Sequence, residues 1–319
     1  MMGWRVGCAS TLIDPSETGV QQTTINSETT VAGVGLHTGE LVTMSLRPAD
    51  ADTGIVFRRV DQQPIGIIRA HALNVVDTNL ATTLQQGDAR ISTVEHLLAA
   101  LSGLGIDNVG IDVDAPELPI MDGSAAPFVF VLQSAGVRTL PAPRRYLRVL
   151  RPVEVVQGDA RARLSPWPTF RVSYTLLYDH PVFREHAREA SVEITPDRFV
   201  AEVSRARTFG FMADFERLRA MNLARGGSLD NAIVVDDYRV LNEEGLRQHD
   251  EFVKHKVLDA IGDLALLGMP LLAHFEGHKS GHGLNNLVVR RLLSEPDAFE
   301  IVQVPPPPPP ARYGESLRG

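Results

Sequence analysis

The chain has 319 residues, 44% hydrophobic and 22% charged, the balance of a soluble globular protein with a sizeable core. A net charge of −8 excludes nucleic acid as the main partner, because phosphate binding needs a basic face. The single cysteine, Cys8, excludes an intrachain disulfide and any thiolate cluster, as suits a reducing cytoplasm.

Residues 1–20 read as an extension. Arg5, Asp14 and Glu17 interrupt any apolar core of signal-peptide length. No stretch approaches the roughly 20 apolar residues of a spanning helix, so a cytoplasmic protein is expected. From Gln21 the pattern is β-rich, with short strands at Leu41–Leu46, Ile55–Phe57 and Ile65–Ile68. A helix follows. Ser92 reads as its N-cap, with Glu95 three residues on completing a capping box, and Val94, Leu97, Leu98 and Leu101 form one apolar face. It ends near Gly103 and Gly105, and Val109–Val113 reads as a strand.

The proline-containing stretch Pro141–Arg145 marks a boundary between residues 21–143 and residues 144–300. Beyond it, Leu147–Val156, Ala162–Leu164, Phe170–Leu177 and Ala232–Val235 read as strands. Phe199–Phe211 mixes a helical pattern with a turn, and Asp214–Met221 reads as a short amphipathic helix. A strong helix runs over Asp250–Leu267, followed by the strand Leu271–Phe275 and a Gly-rich loop over Lys279–Asn286. The tail, 301–319, carries six consecutive prolines at 305–310 and reads as a polyproline II spacer. Val94-Glu95-His96 and Val253-Lys254-His255 each sit early on an apolar helix that leads into a strand. This points to an α+β chain of two domains of similar build.

On the Asp250–Leu267 helix, His255, Asp259 and Asp263 are four apart and share one face. Apolar neighbours Val257, Leu258, Ile261 and Leu264 imply burial, and a buried imidazole with two carboxylates needs compensating positive charge. His255 and Asp259 can reach one divalent ion, with His96 the best third ligand. Two histidines and one carboxylate suit catalytic zinc and equally non-haem Fe(II). The absence of His-Glu-x-x-His speaks against the common zinc peptidases. Spacing leaves open a zinc hydrolase, an iron enzyme, and a binding module in which these residues are a surface pair, a helix cap and a loop histidine.

Longer motifs narrow the choice. Gly33-Val34-Gly35-Leu36-His37-Thr38-Gly39, the run Ile91–Leu101, Ala206-Arg207-Thr208-Phe209-Gly210-Phe211, the run Val234–Asn242, the run Phe252–Asp263 and Lys279-Ser280-Gly281-His282-Gly283-Leu284-Asn285-Asn286 closely resemble the UDP-3-O-acyl-N-acetylglucosamine deacetylase family. The resemblance covers about Gln21 to Leu293. It implies two domains, each a sheet layered on two helices, with the helices sandwiched between the sheets. It implies a zinc amidase that hydrolyses the acetamide of UDP-3-O-acyl-N-acetylglucosamine, the committed step of lipid A synthesis in Gram-negative bacteria. The partner would be that sugar nucleotide, with at most peripheral membrane contact, and the protein a monomer.

Residue by residue, the resemblance implies that His96, His255 and Asp259 bind the metal and that Glu95 is the general base. His282 would be the cationic partner that protonates the leaving amine, and Asp263 would keep His282 charged. Thr208 would donate to the substrate carbonyl. Phe209 and Lys256 match positions that contact the sugar nucleotide. Phe211, Met212, Phe215 and Leu218 fall in an insert, about 205–235, that lines an acyl-chain passage. The chain departs from the family at Gly158-Asp159-Ala160-Arg161, where many members carry a lysine after Gly-Asp. Arg161 is the nearest substitute, although strand alternation turns it to the opposite face.

Overall fold

Alternation along Leu41–Pro48 buries Val42, Met44 and Leu46 and exposes Leu41, Thr43 and Arg47, the signature of a strand with one face on a core. The computed structural model describes residues 20–303, and this strand lies in its first sheet. Cys8, the extension before Val20 and the proline run at 305–310 lie outside the described residues.

The first sheet has five strands in the order Thr29–Val34, Leu41–Pro48, Val109–Val113, Ile55–Arg59, Gly66–Arg69. Val109–Val113 is antiparallel to Leu41–Pro48 on one side and parallel to Ile55–Arg59 on the other. The second sheet repeats this plan. Leu271–His278 is antiparallel to Ala160–Pro166 and parallel to Phe170–Thr175. The hairpin partners Val153–Gln157 and Glu189–Glu193 flank them, and Tyr146–Val149 and Phe299–Val302 extend the sheet. Parallel neighbours need a crossover connection, and each crossover carries a helix. The first crossover contains Glu95–Leu104 and the second Glu251–Ala265. His96 and His255 therefore occupy corresponding helices of a repeated α+β unit.

These two helices pack on each other. Ala126–Ala135 backs the first of them and His282–Leu293 the second, so the helices form the layer between the sheets. Gly262 is the point of closest approach. A Cβ there would lie 2.1 Å from the Glu95 carbonyl oxygen, a separation that only glycine tolerates. No helix among the described residues is long and apolar enough to cross a membrane.

Three local expectations need correction, and one helix was not anticipated. The helix expected from Ser92 begins at Glu95 without a side-chain cap. Thr93 adopts a left-handed conformation, φ 58°, so the turn precedes the helix, and Ser92 Oγ accepts from Thr83 Oγ1 instead. Leu147–Val156 is two strands, because Pro152 interrupts the ladder. Lys279–Asn286 is not all loop: His282 opens a helix running to Leu293. The helix Ala126–Ala135 was hidden by Pro127, which its first turn accepts because that N–H has no helical partner.

Gly262→Ala should force the two helices apart at Glu95, costing about 1–3 kcal/mol by the rule for overpacked cores. Denaturant unfolding reads this directly. An unchanged midpoint would show that the backbones can separate freely.

Candidate active site

The Glu251–Ala265 helix is buried almost all round. His255 and Asp259 lie one turn apart on it, and His96 is the second residue of the facing helix. One donor atom from each of the three lies within 4.8 Å of the others. Asp259 Oδ1 is 3.3 Å from His255 Nε2 and 3.7 Å from His96 Nε2, and the two imidazole rings stand edge to face. His255 Nδ1 donates to the Ala206 carbonyl at 3.0 Å, leaving the Nε2 lone pair toward the cluster. Burial drives the His255 pKa down to about 3, so this imidazole is a neutral donor at ordinary pH. Asp259 Oδ2 is held by Lys256 Nζ at 2.5 Å, whereas Oδ1 is buried with no hydrogen-bond partner. An orphaned buried carboxylate oxygen is costly unless something positive meets it. These three residues fit a divalent metal.

Glu95 precedes His96, and adjacent helical side chains diverge. Its Oε2 accepts the Thr82 backbone N–H at 3.0 Å, and its Oε1 is 3.9 Å from His282 Nε2. Burial raises the Glu95 pKa, against the opposing pull of His282 and His96. His282 is largely buried, its side chain 11% exposed, which by itself would strip its proton, and it opens a helix, whose N-terminus disfavours a cation. Asp263 overrides both. Its Oδ2 lies 2.9 Å from His282 Nδ1, and the imidazole pKa is raised to about 9.

The remaining expected residues fall in two groups. Thr208 begins the insert, its backbone tied to Gly123 and Ile233. Phe209–Phe211 forms a strand parallel to Ile233–Val235, and Met212–Ala220 forms a helix carrying Met212, Phe215 and Leu218. The Phe209 ring lies 6.2 Å from the His255 ring, which joins the insert to the cluster. Arg161 stands apart, on the exposed face of its strand with Ala162 and Leu164 turned to the core. It lines a cavity of about 410 Å³ with Glu189, Glu276 and His278.

Several contributors escaped the sequence reading. Tyr178, Phe183 and Phe252 build an aromatic cluster with Phe209 and Phe211. Glu117, buried, accepts from the His37 and Thr38 backbones and from the Thr93 hydroxyl, anchoring the strained turn before the first ligand. Thr82 and Asn285 hold Asp263. Phe252 and Asn285 lie inside the quoted motifs without a role assigned to them; Tyr178, Phe183, Glu117 and Thr82 come from other segments, where a lone side chain carries no signal of its own.

A buried His96, His255 and Asp259 cluster that could hold a metal, with Glu95 and His282 facing each other beside it, is the kind of site a metal-dependent hydrolase needs, here on a duplicated α+β scaffold. Residues 22–294 match the family profile of LpxC, UDP-3-O-acyl N-acetylglycosamine deacetylase. The chain is 57% identical over 283 residues to the UDP-3-O-acyl-N-acetylglucosamine deacetylase of Marinobacter nauticus, covering 89% of this chain and 93% of that one. The enzymes of the same name from Methylococcus capsulatus and Pseudomonas entomophila are 57% and 55% identical over equal lengths. The chain belongs to this deacetylase family and is an enzyme acting on an amide.

Asp259→Ala would leave only His96 and His255 as donors in the cluster. Metal content by elemental analysis after dialysis should fall well below that of the unaltered chain. Unchanged content would place the ion elsewhere.

Proposed function

We propose that this chain is a zinc-dependent deacetylase that converts UDP-3-O-acyl-N-acetylglucosamine and water to UDP-3-O-acyl-glucosamine and acetate, the committed step of lipid A synthesis. One observation carries the reading: Glu95 and His282 face each other at 3.9 Å beside the buried His96, His255 and Asp259 donors. The family membership supplies the substrate. The same donor set accepts Fe(II), and reconstitution with either metal separates the two.

A bound divalent metal supplies Lewis acidity, polarising the amide carbonyl and acidifying water. Glu95 takes the proton of the attacking water as its oxygen bonds to the acetyl carbon. Thr208 donates to the carbonyl oxygen as it gains charge. His282, cationic because of Asp263, balances the charge of the tetrahedral stage and gives its proton to the sugar nitrogen as the C–N bond breaks. Asp263 orients the ring through its contact with His282 Nδ1. Phe209 and Lys256 position the sugar nucleotide. Phe211, Met212, Phe215 and Leu218, with their apolar neighbours, bound the path of the acyl chain. Arg161 has no role in this scheme.

Acetate release from the sugar nucleotide, measured before and after chelation and with zinc restored, tests the reading. Folded, zinc-loaded protein without turnover would remove the substrate assignment. Glu95→Gln and His282→Ala should each lower kcat about 100- to 10,000-fold, the usual range for removing general acid–base help. The pH dependence follows from sign. His282 has its pKa raised to about 9, so it holds its proton through neutral pH and loses it as pH rises through that value. The rate should fall on the alkaline side near pH 9, and His282→Ala should erase that limb. An unaltered limb in His282→Ala would assign the acid elsewhere.

A further inference from the structure

We propose that Thr82 is a positioning residue that holds the two proton-handling side chains in register, Glu95 through its backbone and Asp263 through its hydroxyl. The inference rests on the reading of Glu95 and His282 given above. Thr82 is 1% exposed and immediately precedes the Thr83–Gln86 strand of a small three-stranded sheet. Its N–H donates to Glu95 Oε2 at 3.0 Å, and its Oγ1 donates to Asp263 Oδ1 at 2.6 Å. The second bond spans 181 residues and joins one half of the chain to the other. One residue thus touches the carboxylate that takes a proton and the carboxylate that keeps His282 charged.

The rest of the Asp263 environment makes the hydroxyl count. Asp263 Oδ2 is shared by His282 Nδ1 and Asn285 Nδ2, both at 2.9 Å, whereas Oδ1 has Thr82 as its side-chain donor. Without that hydroxyl, a buried carboxylate oxygen is left unmet, and the carboxylate loses the hold on Oδ1 that resists rotation about its Cβ–Cγ bond. Rotation would carry Oδ2, and the His282 ring with it, away from the Glu95 side. Thr82 is itself constrained. Leu80, two residues earlier, takes a left-handed φ of 66°, and the Thr82 carbonyl accepts the Val94 N–H one residue before the catalytic helix. Thr78, at the start of the same loop, abuts Gly283 beside His282. The loop is therefore braced against both helix N-termini that carry the acid–base pair.

A buried threonine is more often a satisfied core hydroxyl, and the two roles separate experimentally. Thr82→Val keeps the shape and the backbone N–H and removes the hydroxyl, whereas Thr82→Ser keeps the hydroxyl and removes a methyl. Thr82→Val should lower kcat about 10- to 100-fold, the range for losing a partner behind an active-site residue, with KM and bound zinc near those of the unaltered enzyme. Thr82→Ser should retain most of kcat. Should the valine variant fold poorly, Thr82→Ala removes the hydroxyl without a new methyl, and its kcat against that of Thr82→Ser decides the same question. Unchanged kcat in the variants lacking the hydroxyl, a loss confined to KM, or equal impairment in Thr82→Ser would overturn the inference. Glu95→Gln and His282→Ala, assayed in parallel, tell the two failures apart. If they are impaired and Thr82→Val is not, the assignment of Thr82 alone falls. If they turn over normally, the acid–base reading falls and takes this inference with it.

Discussion

The Glu95–Leu104 and Glu251–Ala265 helices meet backbone to backbone where Gly262 lies under the Glu95 carbonyl. Helix axes ordinarily stay 8–10 Å apart because side chains keep them there. Removing the Cβ at the crossing lets the first turn of one helix lie directly over the ligand-bearing face of the other. His96 then reaches the same space as His255 and Asp259, and Glu95 the same space as His282. A longer side chain at 262 would separate all of these at once.

Such an approach crowds ionisable groups into a region with little water. Asp259, Asp263 and Glu95 are all buried, and so are His96 and His255. Each carboxylate has a distinct answer to its burial. Asp259 has Lys256 on one oxygen and the metal donors' space on the other. Asp263 is held by Thr82, Asn285 and His282. Glu95 has a single backbone donor and the more distant His282, and its pKa is raised. A raised pKa fits the proton-accepting role proposed for Glu95. His255 and His282 diverge through their partners. His255 faces a carbonyl and stays neutral, while His282 faces a carboxylate and stays charged.

The repeated sheet plan explains why the site lies at the junction of two halves. Each half brings one crossover helix between two parallel strands, and neither helix carries a full set of donors. The first supplies Glu95 and His96; the second supplies His255, Asp259 and Asp263. The segment Phe209–Ala220 lies within the second crossover and stacks its aromatic residues on Phe183 and Phe252, near His255.

Much of this was legible along the chain. The row His255, Asp259, Asp263 follows from the helical period, and its burial follows from the apolar residues around it. The motif around Glu95 and His96 marked the opposing helix, and two strand-rich halves predicted the α+β class. These features are local, and local periodicity is what a sequence displays. Folding alone decided the rest. Whether Glu95 caps its own helix or faces His282 depends on the left-handed turn at Thr93, which Glu117 anchors from a distant strand end. That His282 begins a helix and that Thr82 joins Glu95 to Asp263 depend on contacts between segments far apart in the chain. No spacing rule encodes such contacts, because they exist only once both sheets have closed on the helices.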